Sequence, residues 1–412
     1  MKEKIPYMRV GTTYYKLIEK PLISGDKITF LSRWNRETIV NDLGKSYLSK
    51  IPKYDGFTCI PNHLHFQQII ENFYNTYNEL PYKPATESLT SEELKKQVPF
   101  SLKFLEHIFG KQIELGIDYI KILLIFPSQV LPILCLVSKE RSTGKTTFIK
   151  WLKAIFGLNM TYIKGDSFGS QFNADWASML LVAIDEVFFD KKEITERLKY
   201  LSTTNKDKVE AKGKDREEID FFAKFILCSN NEDNFIQIDE NEIRFWIIKV
   251  NTIKSENTEF LNNLITEIPY FLQFLIKRPF QSEKKTRMWF TSDQIRTEAL
   301  KKLVWKNNNK LETKVIELLY EFFQNHDDEF INVVPQDIMN MLNKMFRNQY
   351  WVVNDIRKIL KDIWNLEPQK NSLAFIKYDI DYSGNFYQQN KTGRYFTIER
   401  NFILKKFDEM MN

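Results

Sequence analysis

Apolar residues in the middle third of the chain form short, nearly continuous runs. "LPILCLV", "MLLVAID", "FFAKFILCS" and "RFWIIKV" alternate with helical and turn segments between residue 131 and about residue 250. Runs of this length, apolar throughout and rich in β-branched or aromatic residues, are typical of strands buried on both faces. The pattern predicts an α/β fold with a three-layer core, in which helices cover a largely parallel sheet.

Helical periodicity dominates on either side of these runs. "HFQQIIENFYNTY" predicts an aromatic-rich helix, "TSEELKKQ" a capped helix start, and "LKFLEHIFG" and "IDYIKILLIF" two amphipathic helices. After the sheet, "LNNLITEIPYFLQFLIK" and "SDQIRTEALKKLVW" are again helical, and the polar stretch "WKNNNK" predicts a linker.

The last hundred or so residues have a different pattern. Three helical segments, "LETKVIELLYEFFQ", "VPQDIMNMLNKMF" and "VNDIRKILKDIW", precede two extended runs within "AFIKYDIDYSGNFYQQNKTGRYFTIE". Three helices followed by a hairpin is the order of a winged helix, a variant of the helix-turn-helix. A helical bundle used for subunit or partner contacts is the alternative, because the lysines of this region are dispersed.

A polar turn joins the first buried strand to an amphipathic helix. The turn "KERSTGKTT" carries the last three positions of the phosphate-loop motif G-x-x-x-x-G-K-[ST], with Lys139 in place of the first glycine. Gly144 allows the backbone N–H groups to approach a phosphate, Lys145 can reach the β- and γ-phosphates, and the Thr146 hydroxyl can bind Mg²⁺. The alternative is a polar loop that only caps a helix through Thr143 or Thr146.

Three later strands add further candidate chemistry. "SMLLVAIDEVFFD" ends in Asp185 and Glu186, which would place one carboxylate near Mg²⁺ and one near an attacking water. "FFAKFILCSNN" ends in Ser229, Asn230 and Asn231, and the Asn230 amide could contact the γ-phosphate or orient the water. In "DENEIRFWIIKV", Arg244 begins a strand; it could stabilise phosphate charge or form a salt bridge at a strand edge.

The order of these motifs resembles the superfamily 3 helicases of viruses, phages and mobile elements. The likeness is greatest to the ATPase half of phage and poxvirus-type primase-helicases, and it covers roughly Leu102 to Val250. It implies an AAA+-like P-loop ATPase core, hexameric rings and ATP-driven movement along single-stranded DNA, with ATP and Mg²⁺ as ligands.

The resemblance also assigns roles to residues of this chain. Ser229 and Asn230 match the sensor motif, Arg244 matches the finger that reaches a neighbouring subunit's nucleotide, and Lys212 and Lys214 flank the tip of a hairpin that touches DNA. By the same resemblance, Thr146 and Asp185 are the Mg²⁺ ligands, and Lys145, Asp185 and Glu186 are catalytic residues. The nucleotide-binding residues are those of the phosphate loop: Ser142, Thr143, Gly144, Lys145, Thr146 and Thr147.

These inferences predict four regions. They are a mixed accessory region (1–87), a helical collar or oligomerisation module (88–128), an ATPase domain (129–306) and a winged-helix-like domain (307–412). No acidic cluster in the N-terminal third resembles a primase metal site, so we expect priming to need a separate primase or polymerase.

Composition narrows the remaining choices. With 43% hydrophobic and 27% charged residues, the chain matches folded soluble proteins, and no apolar run reaches the roughly 20 residues of a membrane span. The N-terminal residues lack a secretory signal, so we expect the protein to stay in the cytoplasm. The resemblance implies that this is a bacterial cytoplasm and that a phage or mobile element encodes the protein. A formal net charge of +5 is only weak support for nucleic-acid binding.

We therefore expect an ATP-dependent DNA helicase that acts on single-stranded or forked DNA. An ATP-controlled initiator or DNA-binding switch that does not unwind is the main alternative. A double-strand packaging motor shares the first two motifs, but the chain lacks the clustered carboxylates of the nuclease domain such motors usually carry.

Overall fold

The structure, a computed structural model, divides into two compact units. It describes residues 5–23, 27–170, 173–189, 192–209, 217–238, 242–253, 257–308, 310–346, 351–381 and 385–411. The first unit comprises Met1–Gln237 and Glu242–Lys301, and the second comprises Ile238–Asn241 and Lys302–Asn412. The division at residues 87, 128 and 306 remains a prediction.

The first unit begins with a small antiparallel sheet and one helix. The sheet order is β3-β2-β1-β4, and the elements are β1 (Tyr7–Val10), β2 (Thr13–Pro21), β3 (Lys27–Trp34), α1 (Arg36–Leu43) and β4 (Lys53–Tyr54). Asn35 caps α1 by accepting a hydrogen bond from the Glu37 N–H at 2.8 Å. Tyr7, Ile39 and Ile51 form its core.

A three-stranded sheet follows, where the sequence predicts a helix. It consists of β5 (Gly56–Thr58), β6 (Ile69–Ile70) and β7 (Phe73–Asn75), so the prediction for "HFQQIIENFYNTY" is wrong. The Asn75 side chain explains the difference. It accepts from the N–H groups of Ile60 and Tyr77 and donates to the carbonyls of Ile60 and Gln67. Such bonds compete with helical ones, and here they fix a loop structure.

Three helices precede the central sheet, as predicted. They are α2 (Ser91–Gln97), α3 (Pro99–Phe109) and α4 (Ile113–Ile125). The capping box at the start of α2 is confirmed, because Thr90 and Glu93 exchange side-chain to backbone hydrogen bonds.

The central sheet has five parallel strands. In chain order the elements are β8 (Ile133–Val137), α5 (Lys145–Phe156), β9 (Met160–Lys164), α6 (Gly165–Phe168), β10 (Leu181–Asp185), α7 (Lys192–Leu201), β11 (Lys206–Val209), β12 (Glu217–Asp220), β13 (Lys224–Ser229) and β14 (Phe245–Lys249). The sheet order is β14-β8-β13-β10-β9. The four predicted strands are confirmed. The edge strand β9 was not predicted, because "MTYIK" mixes polar and apolar residues.

Alternate residues of these strands face two different layers. Leu134, Leu136, Ile226 and Cys228 belong to one large core that also contains buried residues of α3, α4 and α5. On the opposite face, the ring of Phe225 contacts those of Phe168 and Trp176. The predicted α/β layering, a parallel sheet flanked by helices, is confirmed.

Four helices follow the sheet: α8 (Phe260–Thr266), α9 (Ile268–Lys277), α10 (Ser292–Ile295) and α11 (Glu298–Asn308). The linker predicted at "WKNNNK" is wrong for its described residues, because α11 continues to Asn308 and the next helix begins at Lys310. Asparagine has a low helix propensity, and the sequence prediction gave that preference too much weight.

The second unit contains the three predicted helices and the predicted hairpin. Its elements are α12 (Lys310–Asn325), β15 (Phe330–Val333), α13 (Pro335–Met345), α14 (Val353–Lys358), a π-helical turn (Ile359–Ile363), β16 (Leu373–Ile380), β17 (Phe386–Gly393), β18 (Phe396–Glu399) and α15 (Arg400–Met411). β16 pairs with β17 and β15 with β18, both antiparallel. A separate apolar core, which includes Leu318, Phe322 and Leu342, holds this unit together.

Across the parts of the chain that the structure describes, no helix combines the length and the apolar character needed to cross a membrane.

Candidate nucleotide-binding site

The polar turn between β8 and α5 has the backbone form of a phosphate cradle. Gly144 is left-handed, with φ 84°, and an added Cβ would lie 3.2 Å from side-chain atoms of Phe104 and of Ile253. Ser142 also has a positive φ, 55°. Because L-residues with side chains rarely adopt this conformation, the turn depends on a glycine at position 144.

Two neighbouring elements hold the turn in place. The Ser142 carbonyl accepts from the Ile253 N–H at 2.9 Å, and the Thr143 carbonyl lies 3.0 Å from Nε2 of His107 on α3. The start of α5 therefore faces the sheet edge with its N–H groups free of helical partners, the arrangement that suits an anion.

A cavity of about 260 Å³ lies at the carboxyl end of the sheet and contains most of the predicted site residues. Its lining comes from the turn, from the end of β10 and from the residue after β13: Arg141, Ser142, Thr143, Gly144, Lys145, Thr146, Thr147, Asp185, Glu186 and Asn230. Strand β13 separates β8 from β10, so the backbones of the two strands that lead to the cradle and to the acids are two strand spacings, about 10 Å, apart.

Lys145 is buried and folds back onto the turn. Its Nζ donates to Thr143 Oγ1 at 3.1 Å, and the residue is only 6% exposed. Burial lowers the pKa of the Lys145 ammonium, which Asp185 partly offsets. A cation held in this environment is stabilised by an anionic ligand, which replaces the water that burial has removed.

Thr146 and Asp185 fit a Mg²⁺ ion. Thr146 Oγ1 lies 3.4 Å from Asp185 Oδ2. Two oxygen atoms in adjacent positions on an octahedral Mg²⁺, each at about 2.1 Å, are about 3 Å apart. The hydroxyl and the carboxylate can therefore bind one ion after a small adjustment.

Glu186 begins a turn directly after the strand. Its φ is 56°, an uncommon conformation for a residue with a side chain, and its N–H donates to Asp185 Oδ1 at 3.0 Å. The turn exposes both carboxylates at the cavity. Backbone conformations of this kind cluster at functional sites.

The end of β13 is fixed to the same turn. Ser229 Oγ donates to the Val187 carbonyl at 2.7 Å and accepts from the Asn231 N–H at 3.1 Å. Ser229 is buried and does not line the cavity, whereas Asn230 is exposed and does. Ser229 thus positions the loop, and Asn230 presents its amide to the cavity.

Arg244 lies apart from this cavity. It precedes β14 at the amino end of the sheet, about 15 Å along the strand from the edge where the turn lies. Its Nη1 is 3.1 Å from both Glu242 carboxylate oxygens, and Lys199 Nζ is also 3.1 Å from Glu242 Oε2. Arg244 therefore cannot reach the phosphate cradle of its own chain.

The predicted hairpin is present in its two strands. β11 and β12 pair antiparallel, with Val209 opposite Glu217. Lys212 and Lys214 lie outside the described residues, so their assignment to DNA contact remains a prediction.

The sequence interpretation missed two features of the site. Arg141 lines the cavity; its basic side chain within the phosphate loop was a usable signal. Lys139, which replaces the motif's first glycine, forms an ion pair with Asp233 at 3.0 Å. No local pattern indicates that pair, since the two residues are far apart in the sequence.

A family model matches part of this core. The model of a family described as "Family of unknown function (DUF5906)" matches residues 136–245, from within β8 to the first residue of β14. No curated protein sequence matches the chain.

Solved structures show the fold. The apo C-terminal region of NrS-1 (residues 305–718) is 15% identical, with a TM-score of 0.54 and 95% of each chain covered, so the chain shares its fold. The SCCmec type IV Cch helicase is 12% identical, with a TM-score of 0.37 over 98% of this chain and 100% of that one. A JCV helicase is 13% identical, with a TM-score of 0.29 over 55% and 63%.

Proposed function

We propose that this protein is an ATP-driven DNA helicase of the superfamily 3 type. One observation carries the proposal: a single cavity brings together the Gly144 cradle, Lys145, the Thr146–Asp185 oxygen pair, Glu186 and Asn230. These are the groups that binding and hydrolysis of a nucleoside triphosphate require.

Each residue has a distinct role in this proposal. The N–H groups around Gly144 and the Lys145 ammonium bind the β- and γ-phosphates, and Glu186 orients and polarises the attacking water. Asn230 donates to the γ-phosphate or the water. Thr146 and Asp185 would hold Mg²⁺, which when bound neutralises charge on the phosphate oxygens.

The position of Arg244 is compatible with a ring, and its ion pair with Glu242 equally fits the alternative of a salt bridge at a strand edge. Because Arg244 cannot reach its own cavity, it would serve as an arginine finger only for a neighbouring subunit's nucleotide. A head-to-tail interface that repeats and closes generates a ring, for which we propose six subunits as in the related helicases.

DNA would pass along the β11–β12 hairpins of such a ring. Lys212 and Lys214, which the resemblance assigns to the hairpin tip, would contact the phosphate backbone of single-stranded DNA without reading its sequence. We further propose that a separate primase or polymerase supplies primers.

The second unit supports a DNA-binding role of a different kind. Its order of helix, strand, two helices and hairpin is compatible with a winged helix. This feature favours the alternative function, an ATP-controlled initiator that binds DNA but does not unwind it.

ATP hydrolysis and strand displacement test the two functions. We expect single-stranded DNA to stimulate ATPase activity, and Lys145→Ala to reduce it at least ~100-fold, because the cavity loses its main phosphate cation. Displacement of a labelled strand from a forked duplex would support the helicase. ATPase activity and DNA binding without strand displacement would favour the initiator. A wild-type protein that hydrolyses no ATP, with or without single-stranded DNA, would contradict both proposed functions.

A further inference from the structure

Lys139 occupies the position where the phosphate-loop motif has its first glycine. Its Nζ lies 3.0 Å from Asp233 Oδ2 and 4.0 Å from Glu232 Oε1. Both acids belong to the loop that follows β13, two and three residues beyond Asn230. One side chain thus connects the start of the phosphate loop to the loop that carries the predicted sensor.

A third strand joins this connection. Glu232, whose side chain is only 5% exposed, also pairs with Nζ of Lys249, the last residue of β14, at 3.1 Å. β14, β8 and β13 are neighbours in the sheet. The charges therefore link the carboxyl ends of three adjacent strands beside the cavity.

The loop after β13 is stiff enough to transmit a restraint. Asn231 Oδ1 accepts from the N–H groups of Asp233 and Asn234 at 3.1 and 3.2 Å, and Ser229 Oγ accepts from the Asn231 N–H. Asn230 lies between these fixed residues. A shift of Asp233 would therefore change where the Asn230 amide points.

The stability that this bridge contributes is small. Lys139 is well exposed, and exposed ion pairs contribute only about 0–1 kcal/mol. The hydrogen bond that Lys139 donates to Asp233 raises the pKa of Lys139, so the bridge stays charged at neutral pH. Its geometry, between two loops that both line or flank one cavity, suggests a role other than stability.

We propose that Lys139 is a positioning residue that fixes the Asn230 loop relative to the phosphate cradle. The inference rests on the proposed ATPase function. Lys139 itself does not line the cavity. Its loss should therefore slow hydrolysis more than it weakens nucleotide binding, which depends on Gly144 and Lys145.

The test compares kcat with nucleotide affinity in a set of variants. We expect Lys139→Met to lower kcat about tenfold, less than the ~10²-fold that a 1 Å misplacement can cause, with a dissociation constant for a fluorescent ATP analogue within about twofold of wild type. Lys139→Arg should restore kcat, because the longer cation can still reach Asp233. The double variant Lys139→Asp with Asp233→Lys should recover part of the lost kcat, because it restores an ion pair with the two charges exchanged.

Lys150→Met is the matched control. Lys150 is exposed on α5 and does not line the cavity, so the kcat of the Lys150→Met variant should equal that of wild type. Thermal unfolding of every variant checks that each one folds. If Lys139→Met does not fold, Lys139→Gln and Asp233→Asn take its place.

The outcomes separate this inference from the function on which it rests. A wild-type kcat for Lys139→Met, or a rise in the dissociation constant as large as the fall in kcat, would overturn the positioning role and leave the ATPase intact. Failure of Lys139→Arg to restore activity would also overturn it. If wild-type protein and Lys145→Ala are equally inactive, the ATPase proposal itself is wrong and the positioning role is wrong with it.

Discussion

Gly144 links a sequence motif to a three-dimensional site more directly than any other residue of the chain. Its left-handed backbone disfavours any side chain, and an added Cβ would crowd Phe104 and Ile253 at 3.2 Å. The phosphate-loop motif could be found from the sequence because its strand, turn and helix are consecutive in the chain, so the residues that shape the turn are close together in the sequence. The replacement of the first glycine did not prevent the cradle from forming, because the strained position is 144.

Substitution of Gly144 tests the cradle. Gly144→Ala should weaken binding of a fluorescent ATP analogue at least about tenfold, since a left-handed alanine costs roughly 1–2 kcal/mol and its Cβ also crowds two side chains. Gly165→Ala is the control, because Gly165 has no positive φ and an added Cβ would lie 3.4 Å from the Phe189 ring, an ordinary contact distance. Equal affinity for wild type and Gly144→Ala would show that the turn is not the phosphate site.

Among the elements, the four buried strands of the central sheet could be predicted from sequence, whereas the short strands β6 and β7 and the edge strand β9 could not. The four apolar strands can be recognised as buried from their composition. Strands β6 and β7 depend instead on hydrogen bonds of the Asn75 side chain, which join residues up to 15 positions apart. The edge strand β9 is half-exposed and polar, so its identity comes from pairing with β10. Tertiary contacts of this kind override local propensity.

The segment from residue 59 to residue 87 packs onto the central core. His63 lies between two groups, with Nδ1 2.9 Å from the Leu124 carbonyl on α4 and Nε2 2.6 Å from the Tyr77 hydroxyl. Asn78 and Asn159 exchange hydrogen bonds at 2.9 and 2.8 Å. Mainly through burial, the pKa of His63 is lowered from 6.5 to about 4.

This buried histidine predicts an acid-sensitive attachment. With a folded-state pKa below the unfolded one, His63 contributes stability that is present above pH 6.5 and is lost as the pH falls toward 4. The loss should reach about 3 kcal/mol over that window, since each unit is worth about 1.4 kcal/mol. Denaturant unfolding of wild type and His63→Gln from pH 7 to pH 4 measures it. The difference between the two proteins should shrink with acidification, and a difference that does not change with pH would contradict the assignment.

At the scale of the whole molecule, the residues proposed for catalysis lie at two separate places in one chain. The cavity lies at the carboxyl end of the sheet and Arg244 at the amino end. The phosphate loop and Arg244 were both identified from the sequence. Only the parallel arrangement of the strands shows that they lie at opposite ends of the sheet.

Mixing two inactive variants tests whether subunits share a site. Arg244→Ala keeps an intact cavity and Lys145→Ala keeps an intact arginine, so a 1:1 mixture should contain working interfaces. In rings of randomly mixed subunits, the ATPase rate should recover to about a quarter of the wild-type rate. The double variant Lys145→Ala/Arg244→Ala, mixed with either single variant, is the control and should restore nothing. Full activity of Arg244→Ala alone would show that the arginine is not a finger.

The most direct measurement is a structure of the Glu186→Gln variant with ATP, Mg²⁺ and single-stranded DNA, because loss of the water-orienting carboxylate should preserve the bound triphosphate. The account predicts the γ-phosphate within hydrogen-bond distance of Lys145 Nζ, and Mg²⁺ bound by Thr146 and Asp185. Nucleotide bound elsewhere, with the turn around Gly144 empty and Asp185 directed away from it, would contradict the account.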